Sequence, residues 1–166
     1  QKAANGLAGR KSIAVLPFTA ITKSEEDEIF KEGIHDDIIT QLAKIKDLKV
    51  IARTSVTRYK NTEKRAREIG QDLGVNALLE GSVRRSGDRI RIVAQLIDAE
   101  NEEHLWAETF DRNYSDIFKV QSDVAQQIAI ALKATLTPEE RHLIQQKPTK
   151  NMEAYDYFLK GNHYWS

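Results

Sequence analysis

Four arginines, Arg84, Arg85, Arg89 and Arg91, flank the tripeptide Ser86-Gly87-Asp88 and are the residues of this chain best suited to binding chemistry. A guanidinium fork holds phosphate or carboxylate through two parallel hydrogen bonds, so four of them on adjacent strands make a candidate anion site. The same residues also make a charged strand edge that blocks unwanted pairing, and this second reading is preferred. His35-Asp36-Asp37 is the most metal-like cluster. Successive helical residues point about 100° apart and do not converge on one ion, so a solvated helix face is expected there. His104, His142 and His163 have no histidine or carboxylate in metal spacing, which reads as surface or packing. Gly70-Gln-Asp-Leu-Gly74 sits where a helix should end, so it reads as a cap rather than a phosphate loop. The chain has no cysteine, which removes disulfides, thiol nucleophiles and cysteine-based zinc sites. No catalytic residue, metal site or cofactor is assigned.

The elements that must position these groups follow from periodicity. Ala77 to Asp98 alternates apolar and polar residues about the Ser86-Gly87-Asp88 break, the pattern of a β-hairpin. A further strand from Leu105 to Phe110 completes a three-stranded antiparallel meander, with Trp106 expected in the core. Upstream, Ser12 to Phe18 reads as a short buried strand ended by Pro17. Ser24-Glu-Glu-Asp27 then supplies a capping start for a helix to about Ile45, with Phe30, Ile34, Ile38, Leu42 and Ile45 on one face. Leu48 to Val56 reads as a strand and Thr62 to Leu73 as a helix closed by Gly74. A long helix from Ser115 or Asp116 to Leu136, stopped by Thr137-Pro138, closes the domain. The order β-α-β-α-β-β-β-α predicts an α+β (mixed α/β) layered fold with helices packed on a mixed sheet. Leu42, Ile92, Ile128 and Trp106 are expected to share its core.

Composition narrows the function classes. Lys plus Arg equals Asp plus Glu at 25 each over 166 residues, so no overall field draws the chain to nucleic acid or an acidic membrane. Residues 44–91 are locally basic, with 13 Lys/Arg against 6 Asp/Glu. No apolar run approaches the roughly 20 residues of a membrane span. Residues 1–11 are small and polar, like a linker within a longer protein.

Ser12-Ile-Ala-Val-Leu-Pro-Phe18, Gly33-Ile34, Ile51-Ala52-Arg53, Leu79-Glu-Gly-Ser-Val-Arg-Arg85, His104-Leu-Trp-Ala-Glu108 and Asp111-Arg112, in that order, resemble the TolB amino-terminal-like domain of bacterial signalling proteins. The resemblance implies residues 12–137 as the domain, beside an adenylate/guanylate cyclase domain or a winged-helix regulator elsewhere in a longer protein. It also implies that residues 138–166 are a linker and the first helix of a tetratricopeptide repeat region. Gly161 and Tyr164 keep the G-x-x-Y spacing of such a helix, with Tyr157 in place of Trp and Lys160 in place of Leu. An ordinary amphipathic helix folded back on the domain is the alternative.

The function that follows is a non-catalytic interaction or sensory module contacting protein partners through Tyr155, Phe158, Leu159, Tyr164 and Trp165. A small anionic-ligand or nucleotide sensor built on the arginine hairpin is the alternative. Cyclase activity would reside outside these residues. No nucleic acid and no membrane insertion are expected, and self-association through the C-terminal helix is. The resemblance implies an extracytoplasmic or periplasmic setting, with a cytoplasmic one as the alternative. Because the C-terminal helix would lack its stacking partner, it is expected to pack on a neighbouring molecule or stay poorly ordered, so that trimming near Pro148 leaves stability unchanged.

Overall fold

The computed structural model describes residues 11–149 and 151–165. The linker read at residues 1–11 therefore lies outside the described residues except for Lys11, which opens β1 (Lys11–Val15). The chain continues through β2 (Thr19–Ala20), α1 (Glu25–Ala43), β3 (Leu48–Val50), α2 (Arg53–Val56), a 3-10 turn (Thr57–Tyr59) and α3 (Ala66–Leu73). The meander follows as β4 (Ala77–Ser86), β5 (Arg89–Asp98) and β6 (His104–Asn113). A 3-10 turn at Tyr114–Asp116 then leads to α4 (Ile117–Ala131), α5 (Pro138–Gln145) and α6 (Met152–Trp165).

These elements make one mixed sheet in the order β3-β1-β4-β5-β6, with β2 also pairing β4. β1 runs parallel to β3 and β4, whereas β4-β5-β6 is the expected antiparallel meander. Its first turn is two residues long, and Gly87 takes the positive φ of 59° that such a turn requires. The fold is α+β, with helices packed on a mixed sheet.

Alternation along β1 divides the interior in two. Ile13 and Val15 face the larger core with α1, α4, α5 and α6. Ala14 and Leu16 face a smaller one filled by Val56, Tyr59, Ile69 and Val75 from the β3-to-β4 connection. The expected α1 stripe of Phe30, Ile34, Ile38, Leu42 and Ile45 is fully buried. Each such side chain contributes about 1.5–3 kcal/mol by leaving water. Ser24 caps α1, its hydroxyl accepting from the Asp27 N–H at 3.1 Å. Leu42, Ile92 and Ile128 share the larger core. Trp106 packs at its margin, half-buried, and its indole N–H donates to Gln127 at 2.8 Å.

Five local expectations are corrected. The strand read over Leu48 to Val56 stops at Val50, and Arg53–Val56 is helical, because this turn swings Val56 and Tyr59 into the smaller core. Tertiary burial outweighs the strand propensity of Val and Thr. The helix at Thr62 to Leu73 begins only at Ala66, though Gly74 does end it with a left-handed φ of 68°. The long helix ends at Ala131, where Lys133 takes a φ of 58°. Thr137-Pro138 starts a helix instead of stopping one: Thr137 caps Glu140 reciprocally, and Pro138 occupies the first turn where its missing N–H costs nothing. Finally, the C-terminal helix folds back on α1 and joins the larger core through Tyr155 and Leu159. Its inner face is thus covered by its own chain.

Candidate interaction surface

α6 starts at Asn151, whose side-chain oxygen accepts from the N–H groups of Glu153 and Ala154. Its inner stripe is set by helical spacing, with Tyr155 and Leu159 four residues apart and both buried. Leu159 lies over Gly33 of α1, and a Cβ at position 33 would collide with its methyl groups. Gly33 is what lets the two helices approach here.

Three polar contacts fix the helix along its length. The Tyr155 hydroxyl donates to Asp37 of α1. Gln121 of α4 donates to the same carboxylate at 2.9 Å and to the tyrosine oxygen at 3.2 Å. Burial raises the Asp37 carboxyl above the usual aspartate range, and these two hydrogen bonds oppose the rise. The next residue, Asp156, receives both arms of the Arg85 fork at 2.8 and 3.2 Å and the Tyr114 hydroxyl at 2.6 Å. Burial alone would raise Asp156. The Arg85 and Tyr114 hydrogen bonds outweigh it, and the carboxyl sits below its ordinary value. The Arg85 guanidinium also lies 3.6 Å above the Tyr114 ring, a cation–π contact that holds the fork in place. At the far end, His163 hydrogen-bonds Glu32 of α1 at 2.7 Å.

With its inner face so held, α6 turns Tyr157, Phe158, Tyr164 and Trp165 to solvent, the last of them 90% exposed. Gly161 lies between them with nothing within 4 Å of where a Cβ would stand. Their spacing of i, i+1, i+4, i+7 and i+8 makes one continuous exposed stripe along the helix. Beside it runs a groove of about 570 Å³ bounded by Lys44, Phe118, Pro148, Tyr155 and Phe158. Of the five partner-contact residues expected from the sequence, Phe158, Tyr164 and Trp165 are therefore accessible. Tyr155 and Leu159 are spent on the chain's own core.

The arginine hairpin divides in the same way. Arg84 pairs with Arg91 and Ser86 with Arg89 across the strands, so Arg84, Arg89 and Arg91 share the exposed outer face. Arg85 pairs with Ile90 on the core side. Arg89 and Arg91 both reach Asp111 of β6, at 3.5 and 3.3 Å. Strand parity, with Arg85 two residues from buried Val83, carried this signal. The four do not converge on one ligand.

His35-Asp36-Asp37 departs most from expectation. His35 is buried, its Nε2 2.8 Å from the carbonyl of Val15, and burial depresses its pKa. Asp36 stands 2.8 Å from Arg53. Only long-range packing brings these partners together, and no local pattern announces it. His104 and His142 are exposed as expected. Among the described residues no group of three or more metal-ligating side chains occurs, and no helix is long and apolar enough to cross a membrane.

A family model described as HilA/YgeH-like transcriptional regulator, second domain, matches residues 9–129. The chain belongs to that family. It is also 44% identical over 155 residues to a Rhizobium meliloti (strain 1021) protein named "Putative adenylate cyclase 3", covering 93% of this chain and 26% of that protein. The chain thus spans about a quarter of the length of this relative. In fold it is similar to TolB from Acinetobacter baumannii, with a TM-score of 0.57 and 19% identity over 74% of this chain and 28% of that one. It is also similar to lipoprotein GNA1162 from Neisseria meningitidis, with a TM-score of 0.54 and 19% identity over 71% of this chain and 96% of that one. The expected likeness to a TolB-type domain thus holds at the level of fold.

Proposed function

We propose that this family member is a non-catalytic interaction module of a bacterial signalling protein, and that α6 is its output element. The observation that carries this reading is the two-sided build of α6. Its inner face is fixed to the domain by Tyr155, Asp156, Leu159 and His163, while its outer face presents aromatic side chains around Gly161. A helix held on one side and apolar on the other is suited to stack a further helix, as the first helix of a tetratricopeptide repeat does. On this reading residues 12–137 form the TolB-like domain, residues 138–151 link it to α6, and protein partners or a second copy meet the same stripe. Any cyclase activity belongs to parts of a longer protein outside the quarter matched here. The setting is extracytoplasmic, the module standing beyond a membrane-anchored effector.

The test sets this chain in place of the matched quarter of the Rhizobium relative, joined to the remainder of that protein. Trp165 fluorescence should shift to the blue and the outer face of α6 should gain protection from hydrogen exchange. Serine at Tyr157, Phe158, Tyr164 and Trp165 together should remove that exchange protection. A Trp165 that stays solvated in the joined protein, with α6 exchange unchanged, would end the reading.

A further inference from the structure

The sheet places a crevice at the carboxyl ends of β1 and β3. From β1 the chain crosses one face of the sheet through α1, and from β3 it crosses the other through α2 and α3. β1 is therefore the strand at which the two connections diverge. In open sheets with parallel strands, ligands settle where the connections part in this way. Here the divergence leaves two adjoining hollows of about 470 and 200 Å³, which share Pro17, Phe18, Lys31 and Lys60. Hollows of this size take a small ligand.

The lining is cationic. Lys23 comes from the loop before α1, Lys31 from α1, Arg53 from α2 and Lys60 from the end of the 3-10 turn. Two carboxylates oppose these four cations, Glu28 and Glu32. Glu28 is engaged by Lys31 at 2.7 Å, Glu32 by His163 at 2.7 Å, and Arg53 by Asp36 at 2.8 Å. Lys23 and Lys60 make no ion pair among the described residues. Lys31 is only 8% exposed, so an ammonium group is held away from bulk water on the wall of the hollow. Asn61, turned by a φ of 57°, adds an amide at the mouth. Three ammonium groups from separate segments suit a compact multivalent oxyanion, which lysine holds as a point charge without the planar geometry arginine demands.

The geometry points to this crevice as a binding site for a small polyvalent oxyanion, with Lys23, Lys31 and Lys60 as its cationic contacts. The site is separate from the α6 stripe and from the outer-face arginines, so it stands or falls independently of the interaction-module reading.

Inorganic pyrophosphate is the probe. It should raise the melting temperature of the 166-residue chain saturably, with the effect weakening as salt increases. Amide shifts should cluster at Phe18, Lys31 and Asn61 in NMR spectra. Lys23→Gln with Lys60→Gln, both at exposed positions, should lower pyrophosphate affinity about ten- to a hundredfold. Arg84→Gln with Arg89→Gln and Arg91→Gln should leave that affinity intact. Absence of a saturable shift, or a shift unaffected by the lysine variant but lost in the arginine variant, would overturn the site. Binding to phosphatidylglycerol vesicles with none to pyrophosphate would assign the lysines to a lipid surface and overturn it equally.

Discussion

Arg85 and its neighbours along β4 and β5 show how position decides what a charge is worth. The Arg85 side chain is 13% exposed and its partner Asp156 30% exposed, so both ends of the pair are largely withdrawn from solvent. Arg85→Gln leaves Asp156 with only the Tyr114 hydroxyl and should cost about 2–3 kcal/mol in urea unfolding. The triple Gln variant at Arg84, Arg89 and Arg91 should stay within about 0.5 kcal/mol of the parent, because exposed pairs contribute little. Asp156 also sets a pH dependence. Its folded pKa lies below the ordinary 3.8, so its stabilisation is present above that pH and is lost as pH falls through the folded value. Asp37 works in the opposite direction: its folded pKa is raised, so its contribution declines as pH rises from 3.8 through the folded value. Asp156→Asn should therefore lower the melting temperature most near neutrality, and the gap to the parent should narrow below pH 3.8. A gap of constant size from pH 3 to 7 would mean that ionisation of Asp156 does not hold α6.

At the scale of elements, α6 is the part whose role the fold changes most. Its local sequence reads as the start of a repeat, with an apolar surface larger than one helix hides. The structure supplies a partner for half of that surface: Gly33 receives Leu159, and the Phe118 ring meets Tyr155 edge-on at 4.7 Å. Ending the chain before Asn151 should consequently destabilise it by at least about 3 kcal/mol, since one tyrosine and one leucine lose their burial. Thermal denaturation of the shortened chain measures this, and an unchanged midpoint would show that α6 is not integral to the core. Gly33→Ala is a milder version of the same test. The added methyl meets the flexible end of Leu159, and a loss of about 1–3 kcal/mol is expected together with faster exchange in α6.

For the molecule as a whole, the larger core runs without a break from the meander through α1 and α4 to Ile144 of α5 and Leu159 of α6. Elements that share one core unfold together. Calorimetry should accordingly record a single transition, with α6 melting in step with the sheet, and an early separate α6 transition would contradict this. The same chain should form no cyclic nucleotide from ATP or GTP, as checked by chromatography of the reaction mixture. The tryptophan that reports on the outer face, Trp165, is remote in sequence from the half-buried Trp106, so single substitutions separate the two signals.

The sequence by itself determined the features that depend on near neighbours. Alternation fixed β4 and β5 with their two-residue turn. The 3.6-residue period fixed the buried face of α1, and Ser24 and Gly74 marked helix ends, because turn and cap chemistry act within a few residues. The separated motifs also indicated the kind of fold. Tertiary structure alone decided the rest. Val56 became helical because a second core lay across the sheet from the first. Thr137-Pro138 opened a helix where its local sequence could equally close one. His35, Asp37, Tyr155 and Asp156 acquired their roles from partners 20 to 118 residues away. The crevice at the end of β1 exists only because two connections cross opposite faces of the sheet. Such arrangements depend on which surfaces meet when the whole chain packs, and no local period in the sequence encodes that.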